Sequence, residues 1–301
     1  MITRTTLKGT GVAIVTPFHA YGTIDFGSLE KVLEHIIKGG VDFVVALGTT
    51  SEAATLIDDE KDAIMGFVKE TVDGRIPIVM GMGGNSTQTL VSKIKETDFT
   101  DVEAILSVTP YYNKPNQKGL YNHFKAVASA CPVPIILYNV PGRTASNLTA
   151  ETTLRLAHDF KNIVAIKEAS GDFNQVMEIL ANRPEGFKVF SGEDAITFPL
   201  MSLGADGVIS VVANAFPREF SEMVRLMNGK LHEEARDLHY SILPIINQLF
   251  ADGNPGGVKA ALEVMSILKN NLRLPMVKVN KSVYFALDKL IKEYRSPLDG
   301  K

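Results

Sequence analysis

Eight short apolar runs recur along the first 213 residues, and they constrain the fold more than any other feature of the sequence. They span 11–18, 43–48, 77–83, 104–110, 134–140, 163–169, 188–193 and 207–213. Each is a nearly continuous run of Val, Ile, Leu and Ala, which is typical of strands covered on both faces in a parallel sheet. Segments with helical periodicity separate the runs, and successive runs begin roughly 20 to 34 residues apart, close to the ~30 residues of one βαβ unit. The pattern predicts a closed (β/α)8 TIM barrel.

Residues that begin or end helices lie between these runs. Ser28 is predicted to cap the first helix and Gly39-Gly40 to end it. Later helices are predicted to begin near Asn85-Ser86, at Thr149 and at Asp172. This alternation of strand and helix is what the barrel requires.

The chain becomes helical after Pro217. A helix at 218–227 completes the predicted barrel, and further helices are predicted at about 231–250, 256–269 and 280–294. We therefore predict a catalytic barrel at 1–228 and a C-terminal helical region at 229–301. A doubly wound open sheet is the alternative, but Thr16-Pro17-Phe18 ends the first run where a Gly-x-Gly-x-x-Gly turn would be expected.

Composition narrows the class of partner. The net charge is −3 and no dense Lys/Arg run is present, which disfavours nucleic acid and anionic membranes and leaves a small molecule as the expected partner. The single cysteine, Cys131, cannot form an intrachain disulfide, so a reducing compartment and an inert thiol are expected. No apolar run approaches the ~20 residues of a membrane span, and the N-terminus does not resemble a signal peptide. We expect a soluble, cytoplasmic protein.

Lys167 and Tyr138 are the most informative of the polar residues that end the runs, because active sites of such barrels lie at the C-terminal ends of the strands. Partial desolvation at the end of an apolar strand favours a neutral lysine amine, the form that attacks a ketone. The alternative is a salt bridge at the rim, although Glu168 faces the other side of the strand. Tyr138 ends the preceding strand, about 4.8 Å away, and its phenol suits proton transfer; it would equally serve to cap the barrel core.

The Gly48-Thr49-Thr50 turn offers two hydroxyls and several backbone N–H groups that suit a small carboxylate. The same turn is also common as a plain strand-to-helix connection. Other chemistries lack their parts, since the sequence contains no His-x-His pair at a strand end, no His-Glu-x-x-His and no Gly-x-Ser-x-Gly.

Spaced motifs from about Gly11 to beyond Pro275 resemble those of the dihydrodipicolinate synthase and N-acetylneuraminate lyase family. They are GTTSE at 48–52, TPYYNKP at 109–115, LYNVPGRT at 137–144, IKEA at 166–169 and SGED at 191–194. The resemblance implies that Lys167 forms an imine with pyruvate. It further implies that Tyr138 donates protons in a triad completed by Thr49 and Tyr112.

The resemblance also implies which residues bind the substrates. Thr50 matches a contact to the pyruvate carboxylate, and Gly192 and Ile209 match backbone positions that line the pocket. Arg143 matches the arginine that, in the synthase branch, holds the carboxylate of L-aspartate 4-semialdehyde, a bidentate task suited to a guanidinium. Sialic-acid lyases are expected to carry Gly-Ser-Thr-Gly-Glu and to lack this arginine. The usual glycine is replaced by Ser51 here, which leaves the backbone shape of the turn open.

The implied reaction condenses pyruvate with L-aspartate 4-semialdehyde to give 4-hydroxy-tetrahydrodipicolinate and water, on the route to diaminopimelate and lysine. No metal or cofactor is implied beyond the imine. An N-acetylneuraminate lyase or a 2-keto-3-deoxy sugar acid aldolase using the same lysine stays an alternative, as does a barrel that binds a metabolite without turnover. In the family the tyrosine at the Tyr112 position reaches across a tight dimer interface, which implies a homotetramer built from such dimers.

Regulated members of the family bind lysine at that interface, where a glutamate and histidines join the positions of Asn85 and Tyr111. This chain has Thr89 in place of the glutamate, and Asp58 and Lys61 in place of the histidines. A ligand with two ammonium groups needs carboxylate partners to offset its desolvation. We therefore predict weak or absent inhibition by L-lysine.

Overall fold

Eight parallel strands close into one barrel in the computed structural model, which describes residues 7–295. Each strand pairs with its neighbours in sequence, and β1 pairs with β8 to close the sheet. The strands are β1 Gly9–Ala13, β2 Phe43–Ala46, β3 Ile78–Gly81, β4 Ala104–Val108, β5 Ile135–Asn139, β6 Ile163–Glu168, β7 Lys188–Ser191 and β8 Gly207–Ser210. The predicted (β/α)8 barrel is confirmed.

Helices surround the barrel and continue beyond it. They are α1 Phe26–Lys38, α2 Asp58–Val72, α3 Thr87–Glu96, α4 Gln117–Ala130, α5 Pro141–Thr144, α6 Ala150–Asp159, α7 Phe173–Asn182, α8 Thr197–Ser202, α9 Pro217–Asn228, α10 His232–Phe250, α11 Gly256–Val264 and α12 Lys281–Arg295. The C-terminal helix α10 packs against α8 and α9, and it also contacts α11 and α12. None of the helices within residues 7–295 is long and apolar enough to cross a membrane.

The predicted helix boundaries hold at most positions. Ser86, Thr149 and Asp172 cap α3, α6 and α7, each accepting a backbone N–H from the first turn. The cap predicted at Ser28 is wrong. Asp25 caps α1 instead, because its carboxylate accepts both the N–H of Ser28, at 2.9 Å, and the Ser28 hydroxyl, at 2.7 Å.

The predicted strand and helix ranges differ from the observed ones mainly at their ends. β1 begins at Gly9 and ends at Ala13, because the apolar residues after it leave the sheet and pack in the surrounding core. The helix predicted at 256–269 ends at Val264, and Ser266 takes a left-handed backbone conformation with φ 60°. The predicted division at residue 228 coincides with the end of α9. Residues 1–6 of the predicted barrel and 296–301 of the predicted helical region lie outside the described residues.

Apolar side chains fill the interior of the barrel. Phe43 and Phe190 meet there edge to face, with ring centroids 5.6 Å apart, and Ile209 belongs to the same buried cluster. A Cβ at Gly11 would lie 2.2 Å from the Phe43 ring, so glycine makes room for that ring. Since the interior is packed, a ligand site has to lie above it, at the ends of the strands.

Candidate active site

Tyr138 and Lys167 lie directly opposite each other in the pairing of β5 with β6. Their side chains meet at the C-terminal end of the barrel, where the Lys167 Nζ lies 4.5 Å from the centroid of the Tyr138 ring. Only 4% of the Lys167 side chain is exposed. The structure therefore brings together the two residues that the sequence places at neighbouring strand ends, with the amine largely withdrawn from solvent.

The next register pair, Asn139 and Glu168, holds the same two strand ends together from the other face. The Asn139 Nδ2 donates to both Glu168 carboxylate oxygens, at 3.2 and 3.1 Å. Gln175 and the backbone N–H of Ser170 donate to the same carboxylate. Burial raises the pKa of Glu168, and these hydrogen bonds oppose the shift. Glu168 thus faces away from the Lys167 amine, as strand alternation predicts.

Gly192 lies against Lys167 at the end of β7. A Cβ there would lie 2.6 Å from the Ala169 Cβ and 3.1 Å from the Lys167 Cε. The Gly192 N–H donates to the Glu168 carbonyl at 2.7 Å, which draws this backbone close to β6. A side chain at this position would displace the lysine.

The turn at 48–52 follows β2 as a short 3-10 helix, Thr49–Ser51. Thr49 is exposed at the cavity described below, whereas Thr50 is buried and its Oγ1 accepts a hydrogen bond from Asn254 Nδ2 at 2.9 Å. Ser51 is also buried, and its hydroxyl donates to the Ile14 carbonyl at 2.6 Å. The serine at the usual glycine position therefore adds an anchor for the turn, and the following residue, Glu52, has a left-handed backbone conformation with φ 54°.

A buried ion pair ties this turn to the C-terminal helices. Lys259, on α11, donates to Glu52 Oε1 at 2.5 Å and to the Asn271 carbonyl at 2.9 Å. The backbone N–H of Arg273 donates to the other Glu52 oxygen at 3.0 Å. Burial lowers the pKa of Lys259 to about 8, and the Glu52 carboxylate opposes the shift. Sequence analysis missed this pair, although a lone lysine within the apolar segment 258–262 is a signal of a buried, paired charge.

A cavity of about 700 Å³ opens at this end of the barrel and brings Thr49, Tyr138 and Arg143 together. Asn85 and Tyr111 line it as well. Its remaining lining residues include Lys61, Thr89, Lys93, Thr144, Asn254 and Pro255. Lys167, Thr50, Gly192 and Ile209 lie in the surrounding barrel wall and are not part of this lining.

The structure does not bring Tyr112 into the cavity. Its side chain is 89% exposed, and its backbone is held in a left-handed conformation with φ 70°. Its N–H donates to the Thr144 carbonyl at 3.3 Å. Within one chain, the predicted triad therefore has Thr49 and Tyr138 at the cavity and Tyr112 pointing away from it.

Two carboxylates near Lys167 were not assigned a role by sequence analysis. Asp194 is fully buried and accepts hydrogen bonds from Ser210 Oγ at 2.5 Å and from the Val211 N–H at 3.0 Å, which holds the end of β8. Burial raises the pKa of Asp194. Burial and the Asp194 charge raise the pKa of Glu193, whereas the positive charges of Lys167 and Arg143 lower it. Their signal in the sequence was the acidic pair Glu193-Asp194 at the end of the seventh apolar run.

Residues 6–294 match the Dihydrodipicolinate synthetase family. The chain belongs to this family. A 4-hydroxy-tetrahydrodipicolinate synthase from Parabacteroides distasonis is 50% identical over 287 residues, covering 95% of this chain and 97% of that relative. The enzyme of the same name from Phocaeicola vulgatus is 49% identical over 292 residues, covering 97% of this chain and 98% of that relative.

A solved structure of the Dihydrodipicolinate synthetase family shares the same architecture. It is the chloride-inhibited dihydrodipicolinate synthase from Acinetobacter baumannii complexed with pyruvate. It superposes with a TM-score of 0.93 at 40% sequence identity, covering 96% of this chain and 99% of that one. Family membership thus agrees with the observed (β/α)8 barrel.

Proposed function

We propose that this chain is a lyase that condenses pyruvate with L-aspartate 4-semialdehyde to give 4-hydroxy-tetrahydrodipicolinate and water. The observation that carries the proposal is the largely buried Lys167 amine beside the Tyr138 ring. It occurs in a chain about half identical to relatives that bear the name of this synthase. The proposal places the enzyme in lysine and diaminopimelate biosynthesis, and in the cytoplasm, as befits a biosynthetic step.

The chemistry begins when the Lys167 amine attacks the keto carbon of pyruvate. The resulting carbinolamine loses its hydroxyl as water and becomes an imine, a step that needs a proton delivered to the hydroxyl. Loss of a proton from the methyl group then gives an enamine, whose carbon attacks the aldehyde of the second substrate. The amino group of that substrate next attacks the imine carbon, closes the ring and releases Lys167. The imine supplies the activation, so the proposal assigns no metal or organic cofactor.

Different residues of the remaining site bind each of the two substrates. Thr50 binds the pyruvate carboxylate, next to the imine, and the backbone at Gly192 and Ile209 forms the adjoining wall. Arg143, at the cavity, binds the carboxylate of the aspartate semialdehyde. Tyr138 delivers protons to the carbinolamine, linked through Thr49 to a tyrosine hydroxyl.

That second tyrosine comes from a neighbouring subunit in this proposal. Tyr112 is almost fully exposed and lies outside the cavity of its own chain. An exposed aromatic side chain on a strained backbone is suited to insertion into a partner. We therefore propose that two chains exchange Tyr112 across a tight dimer, and that two such dimers form a homotetramer.

Trapping with borohydride tests the proposal. Pyruvate with borohydride is expected to add one covalent adduct per chain at Lys167, identified by peptide mass, and Lys167→Ala should abolish it. Lys118→Met is the control, because it removes an exposed lysine on α4 that is assigned no part in the site. An adduct at another lysine would overturn the assignment. Condensation of pyruvate with aspartate semialdehyde, compared with cleavage of sialic and 2-keto-3-deoxy sugar acids, distinguishes the synthase from its alternatives.

A further inference from the structure

Asn254 joins the C-terminal region to the turn that carries Thr50. It lies between α10 and α11, lines the cavity and is 6% exposed. Its Nδ2 donates to Thr50 Oγ1 at 2.9 Å across a sequence separation of 204 residues. A hydrogen bond formed at such separation inside a buried region is made by the tertiary structure alone.

The direction of this hydrogen bond determines what the Thr50 hydroxyl can do. A hydroxyl has one proton to donate and two lone pairs that accept. Because the Asn254 amide occupies a lone pair, the Thr50 proton is free to point elsewhere. The Asn254 Oδ1 is left without a partner among residues 7–295. With the amide reversed, both amide N–H groups would lack partners, whereas the observed orientation pairs one of them with Thr50, and an unpaired buried N–H is less favourable than an unpaired carbonyl oxygen.

We propose that Asn254 is a positioning residue that keeps the Thr50 hydroxyl available as a hydrogen-bond donor to the pyruvate carboxylate. This inference rests on the proposed function, in which Thr50 contacts that carboxylate. A carboxylate can only accept hydrogen bonds, so Thr50 serves it only when its proton is not used within the protein. Asn254 acts through Thr50 and does not itself touch the reacting atoms.

The loop that carries Asn254 is held firmly enough for this role. Three residues after it, a Cβ at Gly257 would lie 1.9 Å from the Leu249 carbonyl oxygen, so the backbone there packs without space for a side chain. Lys259, two residues further along α11, forms the buried ion pair with Glu52, the last residue of the 48–52 turn. The C-terminal region thus contacts the 48–52 turn at two residues, Thr50 and Glu52, and these contacts fix the orientation of the Asn254 amide toward Thr50.

Two substitutions of similar size at Asn254 distinguish the hydrogen bond that its amide donates from the space that its side chain fills. Asn254→Asp keeps the shape but presents an acceptor, so the Thr50 proton should turn toward it and away from pyruvate. Asn254→Leu fills similar space and neither donates nor accepts. Asn162→Asp is the matched control, because Asn162 is also buried and also donates through its side-chain amide, to the Ala128 carbonyl at the opposite end of the barrel.

The measurement is the pyruvate concentration that half-saturates borohydride trapping at Lys167. Asn254→Asp is expected to raise it by roughly 10- to 100-fold, as for loss of a hydrogen bond to a charged group, and Asn254→Leu by less. In a Thr50→Val background, Asn254→Asp should add little. Asn162→Asp should match the wild type, and circular dichroism with size-exclusion chromatography verifies folding.

The outcomes distinguish this inference from the proposed function. Absence of a pyruvate adduct in the wild type overturns both. An adduct in the wild type with an unchanged half-saturating concentration in Asn254→Asp overturns the role of Asn254 alone. The same holds if Asn162→Asp weakens pyruvate equally, or if the effect of Asn254→Asp persists in full without the Thr50 hydroxyl. If Asn254→Asp does not fold, an unchanged value in Asn254→Leu is the contradicting result.

Discussion

Asn139 and Glu168 are hydrogen-bonded register partners, and each is the neighbour in sequence of a residue proposed to act in catalysis, Tyr138 or Lys167. This matters because the pairing of β5 with β6 is irregular near Ile135, where the register shifts. A slip of one residue would turn Lys167 to the opposite face of the sheet. The buried Asn139–Glu168 pair therefore fixes the register at the strand ends that carry the Lys167 amine and the Tyr138 phenol.

Gly192→Ala is expected to slow pyruvate trapping at Lys167 by roughly tenfold while the fold is retained. The new methyl group would overlap Ala169 and press on the Lys167 side chain. Overpacking of this kind costs about 1–3 kcal/mol. Trapping rates and thermal unfolding of the variant test this prediction. Gly66→Ala is the control, since a Cβ at Gly66 in α2 meets no atom within 4 Å. Normal trapping in Gly192→Ala would show that the lysine tolerates displacement.

Arg143→Ala should impair the use of aspartate semialdehyde and spare imine formation with pyruvate. We expect a loss of roughly 2 kcal/mol in kcat/KM for the semialdehyde, at the lower end of the range for a broken charge pair because Arg143 is exposed before substrate binds. The kcat/KM of Arg143→Lys for the semialdehyde should lie between those of the wild type and Arg143→Ala, since an ammonium keeps the charge but cannot make the bidentate contact. Equal losses in condensation and trapping would argue for a structural role.

Mixed dimers test the proposed exchange of Tyr112. Tyr112→Phe and Tyr138→Phe should each impair turnover, because each removes a hydroxyl from every site. In a dimer that contains one chain of each kind, one of the two sites regains both hydroxyls. Activity should therefore return when the variants are mixed, refolded together and purified as mixed dimers by means of two different tags. Mixed dimers without catalytic activity would show that Tyr112 acts within its own chain or has no role in catalysis.

L-Lysine at about 1 mM, equivalent to roughly −4 kcal/mol of affinity, is expected to leave initial rates nearly unchanged. Asp58, the one nearby carboxylate that replaces a histidine, is already engaged by Lys61 at 3.1 Å and by Lys93. Thr89 supplies no charge. Half-inhibition below this concentration would contradict the prediction, whereas Thr89→Glu should increase sensitivity to lysine.

His123 is expected to make the fold sensitive to acid. It is buried on α4, its Nδ1 lies 2.8 Å from the Thr87 hydroxyl, and burial lowers its pKa from 6.5 to about 4. The folded protein therefore keeps the ring neutral while the unfolded chain binds a proton below pH 6.5. The contribution of His123 to the free energy of unfolding is therefore complete above pH 6.5 and is lost as the pH drops toward 4. The loss is roughly 2 kcal/mol between pH 7 and pH 5.

Thermal unfolding at the two pH values tests the role of His123. The unfolding temperature of His123→Gln should fall less between pH 7 and pH 5 than that of the wild type. Parallel declines in the two proteins would assign the acid sensitivity to other groups.

Local sequence determined the order of elements and most of their positions. Buried parallel strands are apolar on both faces, so the eight runs could be recognised without any knowledge of their partners, and Ser86, Thr149 and Asp172 cap their helices through contacts two or three residues away. Lys167 and Tyr138 were recognisable for the same reason, since each ends a run.

Tertiary structure alone decided which distant side chains complete the site. Asn254 meets Thr50, and Lys259 meets Glu52, across more than 200 residues, and neither pairing leaves a periodic trace in the sequence. The left-handed backbone of Tyr112 likewise has a distant partner, because its N–H donates to the Thr144 carbonyl, 32 residues away in sequence. The physical reason is range: hydrophobic periodicity and helix capping are local, whereas a buried polar contact exists only once folding has closed the chain between its partners and excluded water.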